Sequence, residues 1–256
     1  MKKTVLSTLL VSTIILGSSV AMAASEGATP GNPAKRITDG LVSFIENDEP
    51  TNPVDPTDPG TPVDPIDPID PENPIEPGTK GPLSLDYASS FNFGEHKITS
   101  QDETYFAAHQ VVKIGEVLKD VPLYAQVTDG RGEYTGWSLG VKQNGQFKTE
   151  KGDILEGAQI KFLNAEAVNE EGGNAVAPSK VSGTVDIVAD GTTTHDLMEA
   201  KVDEGQGTWV YRMGDLTTMD ESVALEVPGA TTKKKAEYKT TLTWILNATP
   251  TIEEGE

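Results

Sequence analysis

The chain has 256 residues, with 40 acidic and 20 basic side chains, a formal charge of −20 and no cysteine. Non-specific nucleic-acid binding depends on clustered Lys and Arg, so the charge argues against a nucleic-acid partner. The lack of cysteine excludes disulfides, thiolate metal sites, a cysteine nucleophile and the lipidated cysteine of a bacterial lipoprotein.

Residues 1–23 have the form of a secretory signal peptide. Two lysines precede an apolar run over residues 5–20, and Ala21 and Ala23 supply the small residues that a signal peptidase reads. The run is short and lacks basic stop-transfer residues, so we expect cleavage before Ala24 and no membrane-spanning anchor. Loss of the two lysines takes the formal charge from −20 to −22.

Residues 24–49 form an N-terminal segment with one predicted strand. Apolar residues cluster within positions 36–45, which include Ile37, Leu41, Val42, Phe44 and Ile45. A lone strand is not stable, so we expect this one to add to an edge of the main domain or of a partner.

Residues 50–80 are rich in proline and aspartate. From Pro50 to Pro77 every third residue is proline, and most prolines follow a carboxylate. Polyproline II has three residues per turn, so prolines and carboxylates form separate columns along the helix. The pattern predicts an extended, stiff, solvated spacer; a recognition motif for a proline-binding domain is the minor alternative.

Residues 81–256 read as short strands separated by turns, which predicts an all-β domain, an antiparallel sandwich or Greek-key-like architecture. Residues 196–202 could form one or two helical turns. Turns are predicted at Asp129-Gly130, Asn144-Gly145, Gly172-Gly173 and Asp190-Gly191. The predicted strands cover residues 83–87, 105–112, 123–128, 134–141, 159–165, 181–189, 207–213, 223–227 and 238–247.

Two Trp-x-Leu motifs stand near the beginning and end of this domain. Trp137 and Leu139 form the first, and Trp244 and Leu246 form the second. In a strand, residues two apart share a face, so each tryptophan lies beside its leucine. Leucine favours a dry core for both tryptophans, whereas exposed rings would suit stacking on a sugar. Glycines at 136 and 140 leave the opposite face bare, for a neighbouring sheet or a flat ligand.

The two motifs, together with three other stretches, resemble WxL-domain proteins of Gram-positive bacteria. These stretches are the Pro-Val-Asp-Pro-type spacer, residues 81–94 with Phe91-Asn92-Phe93-Gly94, and the closing residues 238–250; the first motif extends over 131–141. The resemblance implies a surface protein held non-covalently on the cell wall through peptidoglycan. It also implies possible partners among other WxL and wall-anchored surface proteins.

We therefore expect a secreted, wall-associated, non-enzymatic protein without a cofactor. The C-terminal residues show no Leu-Pro-x-Thr-Gly sorting sequence, which agrees with non-covalent retention. The alternative is an assembly subunit or adhesin that binds other surface proteins or host ligands.

The residues that could carry other chemistry have ordinary explanations. Gly136 to Gly140 spells Gly-x-Ser-x-Gly, but a nucleophile elbow needs a strand, a sharp turn and a helix, and Ser138 is predicted within a strand. The three histidines lack zinc-site spacing, and no carboxylate pair stands out for glycoside hydrolysis. Calcium at Asp120, Asp129 or Asp190 is a weaker possibility, without an EF-hand pattern.

One basic cluster occurs in this acidic chain, at Lys233, Lys234, Lys235 and Lys239. Charge runs are usually solvated loops, and that is the favoured interpretation. The functional alternative is contact with anionic wall polymers such as teichoic acids.

Overall fold

A computed structural model of the protein describes residues 27–170 and 175–249. The chain divides into two compact units, Met1–Phe44 and Ile45–Glu256. In the first unit, Thr29 and Asn32 form an isolated antiparallel bridge. The predicted signal peptide and the turn at Gly172-Gly173 lie outside the described residues.

The predicted strand at residues 36–45 is not formed, since none of these residues has a regular structure. The apolar side chains there are 71 to 96% exposed. A strand needs a neighbour to accept its backbone hydrogen bonds, and these residues have none within the described chain. Pairing with the edge of a partner's sheet stays a prediction.

The described residues of the second unit are nearly all β-structure. A short 3-10 helix, Met219–Glu221, is the exception. The strands in chain order are β1 (Val54–Asp55), β2 (Asp58–Pro62), β3 (Asp64–Ile66), β4 (Leu83–Ala88), β5 (Glu103–Phe106), β6 (Gln110–Ile114), β7 (Val117–Val121), β8 (Leu123–Asp129), β9 (Trp137–Gln143), β10 (Gln159–Phe162), β11 (Ala165–Val168), β12 (Lys180–Val181), β13 (Val185–Ile187), β14 (His195–Ala200), β15 (Gly207–Met213), β16 (Val223–Val227) and β17 (Leu242–Asn247).

Three four-stranded sheets have the orders β11-β15-β8-β4, β12-β14-β9-β17 and β13-β10-β16-β5. A three-stranded sheet, β3-β6-β7, and the pair β1-β2 complete the β-structure. Every pairing is antiparallel, which confirms the predicted all-β antiparallel class. Most neighbours within the four-stranded sheets are distant in sequence, so the chain crosses repeatedly between sheets. We call β12-β14-β9-β17 the motif sheet, because it contains both Trp-x-Leu motifs.

One large apolar cluster joins the three four-stranded sheets. Leu123, Trp137, Phe162, Leu197 and Tyr211 are all completely buried in it. Each comes from a different strand, and burial of such side chains contributes roughly 1.5–3 kcal/mol each. The motif sheet is therefore held by packing against strands that lie far away in sequence.

The proline-rich segment differs from the predicted solvated spacer between positions 52 and 68. β3 lies in this segment and pairs with β6, where Ile66 faces Val111. Val54 and Val63, which the sequence places in the third column of the polyproline helix, are buried against other core residues. A polyproline II backbone has no internal hydrogen bonds, so its polar groups can be bonded by the domain instead.

Two buried glutamines make those bonds. The Gln126 side chain accepts a hydrogen bond from the Val54 N–H at 2.8 Å and donates one to the Asn52 carbonyl at 3.0 Å. The Gln110 side chain donates to the Ile66 carbonyl at 2.7 Å. A buried amide without partners is costly, so each glutamine requires the segment to stay in place.

A salt bridge adds a third attachment. The Lys119 ammonium lies 2.6 Å from the Asp55 carboxylate, which is 1% exposed. Burial alone would raise the pKa of Asp55, but the hydrogen bonds from Lys119 and Thr57 bring this pKa below its usual value. The aspartates of this segment are therefore not all solvated charge.

The strands predicted at 83–87, 123–128, 207–213 and 223–227 agree with β4, β8, β15 and β16. The predicted strand at 105–112 is divided into β5 and β6. The one at 159–165 is divided into β10 and β11, because Asn164 between them has a φ of +53°. Similarly, β9 begins at Trp137 and not at Tyr134, since Tyr134 and Gly136 have positive φ angles of 53° and 79°.

The suggested helical turns at 196–202 are wrong, because His195–Ala200 forms β14. β14 lies between β9 and β12 and contributes Leu197, Met198 and Ala200 to the core. Consecutive buried residues have no period-two pattern, which is why the sequence did not reveal a strand covered on both faces. β7 was missed for a different reason: most of its side chains are exposed.

Candidate functional site

The two motifs lie side by side on the neighbouring antiparallel strands β9 and β17. Trp244 faces Val141 and Leu246 faces Leu139 across the strand pair. β9 is an inner strand of the motif sheet and β17 is its edge. The strand position decides the environment of each motif: the first is covered on both sides, and the second is open along one edge.

Trp137 belongs to the core. Its side chain is completely buried, and the indole N–H donates a hydrogen bond to the Gly205 carbonyl at 2.9 Å. Gly205 has a φ of +73°, and a Cβ atom on it would lie 2.6 Å from the indole nitrogen. Glycine is thus required beside the ring for both its conformation and its size. Leu139 is also completely buried, so the predicted dry core holds for the first motif.

The bare face created by the glycines is covered by the chain itself. A Cβ on Gly140 would lie 2.9 Å from the Thr194 methyl group, and one on Gly136 would collide with the Ala200 carbonyl. The sequence left two explanations for this bare face, close approach by a neighbouring sheet or by a flat ligand. In the structure, a segment of the same chain lies against it. No flat ligand can approach Gly136 or Gly140 there.

Ser138 lies within β9, as predicted, and has no nucleophile-elbow geometry. It is 1% exposed, and its hydroxyl accepts a hydrogen bond from the Asn247 amide at 3.2 Å. The backbone continues as a strand to Gln143. A nucleophile elbow would place the serine on an exposed turn before a helix.

Arg131 joins the ends of the two motif strands. Its guanidinium forms a two-point ion pair with Asp129, with contacts of 2.9 and 2.7 Å. It also donates to the Gly136 carbonyl at 2.7 Å, just before β9, and to the Ala248 carbonyl at 2.9 Å, just after β17. The hydrogen bonds to Asp129 raise the pKa of Arg131, which keeps the cation charged. This role was not predicted, because one of the two carbonyls that Arg131 bonds lies 117 residues further along the chain.

Trp244 and Leu246 differ from the first motif because they are only half-buried. The Trp244 ring stacks on Phe162, with centroids 6.1 Å apart and planes 9° from parallel. Both residues also line a surface groove of ≈ 450 Å³. Leu83 and Leu85 of β4 and Lys80 also line this groove. The second motif therefore combines core packing with accessible surface.

The outward face of the same strands is polar. The Asn144 amide donates to the hydroxyls of Thr241 and Thr243, at 2.9 and 3.0 Å, and all three side chains are exposed. We call these three residues the amide-hydroxyl face. Hydroxyl and amide groups on a flat sheet can exchange hydrogen bonds with sugar hydroxyls.

The predicted lysine cluster lies in the loop before β17, and most of its ammonium groups are engaged. Lys233 donates to the carbonyls of Pro228 and Thr231, Lys234 pairs with Asp153, and Lys239 lies 3.1 Å from Glu237. The bridge between Lys148 and Lys239 brings the end of this loop beside the amide-hydroxyl face. Among the described residues, Lys235 has no ion-pair partner.

The acidic residues considered for calcium serve the fold. Asp129 pairs with Arg131, Asp120 lies 3.4 Å from His109, and Asp190 accepts hydrogen bonds from Thr192 and Thr193. These bonds hold the pKa of Asp190 well below its usual value. Within residues 27–170 and 175–249, no group of three or more His, Asp or Glu side chains is placed to bind a metal ion.

A comparison with protein families shows to which family the chain belongs. The family model described as WxL domain surface cell wall-binding matches residues 32–250. The chain belongs to the WxL family. The comparisons with curated proteins and with solved structures each gave no match. This WxL protein is a surface protein that binds the cell wall, as the sequence predicts, and the described part contains no helix long and apolar enough to cross a membrane.

Proposed function

We propose that this WxL protein is secreted through its N-terminal signal peptide and binds peptidoglycan non-covalently. The match to a wall-binding family over residues 32–250 supports the function. Two features favour a structural role for the first motif: complete burial of Trp137, and its bond to Gly205. The motifs then build the sheet that presents the binding surface.

The proposed contact surface is the amide-hydroxyl face with the adjoining lysine loop. Asn144, Thr241 and Thr243 offer exposed hydrogen-bonding groups to glycan hydroxyls. Lys235 is an exposed ammonium in the preceding loop, and its charge suits anionic wall polymers such as teichoic acids. Lys233, Lys234 and Lys239 are secondary contacts, because their ammonium groups already have partners.

Retention of the purified protein on protein-free peptidoglycan tests the function. We expect binding there; retention on intact cells without binding to peptidoglycan would refute it. Replacing Thr241 and Thr243 together by Val removes two exposed hydroxyls and should reduce retention severalfold, since each lost hydrogen bond is worth about 1 kcal/mol. Thr104→Val, on the edge strand β5, is the matched control and should bind like the parent.

The lysine contribution is tested separately with teichoic-acid-bearing walls. Lys235→Gln should weaken retention most at low salt, because exposed charges are screened within about 10 Å at 0.1 M salt. Lys97→Gln, an exposed lysine outside the loop, is its control. If both variants bind equally at every salt concentration, the lysine loop is only a solvated loop and does not contact the wall polymer.

A second candidate function, as a subunit of a surface complex, has one specific observation in its favour. The apolar side chains at 37–45 are exposed, and an uncovered apolar stretch often marks a protein interface. Binding to the wall and assembly with surface proteins are compatible, because they use different parts of the chain.

A further inference from the structure

Along the edge of β17 that faces away from β9, backbone groups next to apolar side chains have no strand partner among residues 27–170 and 175–249. The Asn144 N–H donates to the Thr241 carbonyl, so the register places the other β9-directed hydrogen bonds at residues 243, 245 and 247. In an antiparallel pair the residues between them direct N–H and C=O away from the partner. Leu242, Trp244 and Leu246 therefore present these groups at the open edge.

The side chains of the same three residues face the interior. Leu242, Trp244 and Leu246 pack against the main core, and the last two form one wall of the ≈ 450 Å³ groove. The groove is also lined by β4, which is itself the edge of its own sheet. An added strand could thus hydrogen-bond to β17 while its inward-facing apolar side chains fill the groove.

The chain also carries a strand-like segment without a neighbour. In residues 37–45, Leu41 and Phe44 are 96 and 89% exposed, and no backbone hydrogen bond within the described chain reaches the segment. As a strand it would have apolar residues on both faces, which suits a slot between two sheets better than a solvated sheet surface. Its nine residues are long enough to cover the six of β17.

We propose that residues 37–45 of one copy add as a strand to β17 of a second copy. This one sequence contains both halves of the interface. One half is the β17 edge over an apolar groove, and the other is the exposed apolar segment at residues 37–45. Reciprocal exchange gives a closed dimer, and one-way addition gives a chain of copies. The proposal does not use the side chains assigned to wall contact, since Thr241 and Thr243 alternate with Leu242, Trp244 and Leu246 along the strand and point to the opposite face.

Sedimentation of the full chain, purified after export, tests the proposal. We expect concentration-dependent self-association, and replacement of Leu41 and Phe44 together by Asp should weaken it at least tenfold. These side chains are exposed, so folding should not change. Leu216→Asp, at an exposed leucine outside the segment, is the control and should associate like the parent. A parent that stays monomeric up to about 100 µM would overturn the proposal.

Two matched variants at Leu242 test whether the backbone edge of β17 takes part in self-association. Leu242→Pro removes an N–H that points away from β9, and proline is tolerated at such edge positions. Leu242→Ala removes the side chain but keeps the N–H, so the proline variant should associate at least severalfold more weakly than the alanine variant. Equal association would contradict strand addition at β17.

A peptide of residues 36–46 provides a test that needs no variant. It should dissociate the complex of the unmodified chain, whereas the same peptide with alternate backbone nitrogens methylated should not. Dissociation by both peptides would show side-chain contact without strand pairing, and dissociation by neither would place the interface elsewhere. The salt dependence separates the two kinds of binding. Screening should strengthen contact between two copies of the exported chain, each with a formal charge of −22, and should weaken wall binding through lysine.

Discussion

Truncation of Trp137 should reduce wall binding only to the extent that it unfolds the domain. The ring is completely buried, so Trp137→Ala should lower the free energy of unfolding by about 3–5 kcal/mol through lost contacts and a cavity. Trp137→Phe keeps most of the ring but leaves the Gly205 carbonyl without its donor, which costs about 1–3 kcal/mol. Typical domain stability is about 5–15 kcal/mol, so this loss unfolds the alanine variant completely only if the parent lies at the lower end of that range.

Urea unfolding followed by circular dichroism measures these changes, and retention on peptidoglycan is measured at the same folded fraction. Trp209 supplies the matched control: it is buried outside the motifs, and its indole N–H also donates to a backbone carbonyl, that of Gln206, at 3.0 Å. Trp209→Phe and Trp137→Phe should lose similar stability and keep similar binding per folded molecule.

Two results would refute this reasoning. A Trp137→Ala variant with the parent's urea midpoint and no wall binding would make the ring a ligand contact. A loss of binding in Trp137→Phe that Trp209→Phe does not share, at equal stability, would have the same meaning. Trp244→Ala should be milder, at roughly 1–3 kcal/mol, because that ring is only half-buried.

Three further variants test particular contacts by urea unfolding. Lys119→Met should destabilise by about 1–3 kcal/mol at pH 7, less than for a fully buried pair because Lys119 is partly exposed. The lowered pKa of Asp55 gives stability that is present above its unfolded value near 3.8 and is lost as the pH falls through the folded value. The penalty should therefore shrink in acid, and a pH-independent penalty would contradict the ion pair. Tyr124→Phe should be neutral or stabilise by about 1 kcal/mol, because this buried hydroxyl has no partner among the described residues; a large loss would reveal a missed bond. Gly205→Ala should cost about 2–3 kcal/mol from its positive φ and contact with Trp137, and an unchanged urea midpoint would argue against both.

The alternation of apolar and polar residues was sufficient to predict side-chain directions in strands that bury only one face. The alternation at Trp137 and Leu139, and at Trp244 and Leu246, correctly placed these side chains toward the core. It failed at β14, which is buried on both faces and therefore has no period-two signal. It also failed at the proline segment, where the repeat predicts local conformation but cannot show that Gln126 and Lys119 bind it from far away in sequence.

The sequence by itself determined the all-β class, the WxL family and the faces on which the motif side chains lie, because these depend on residue type and spacing along one strand. Only the tertiary structure decided that β9 is an inner strand and β17 an edge strand. As a result, Trp137 is completely buried, whereas Trp244 lines a surface groove. The physical reason is that strand order in a sheet is set by long-range packing and hydrogen bonding. Two motifs with the same spelling consequently have different environments.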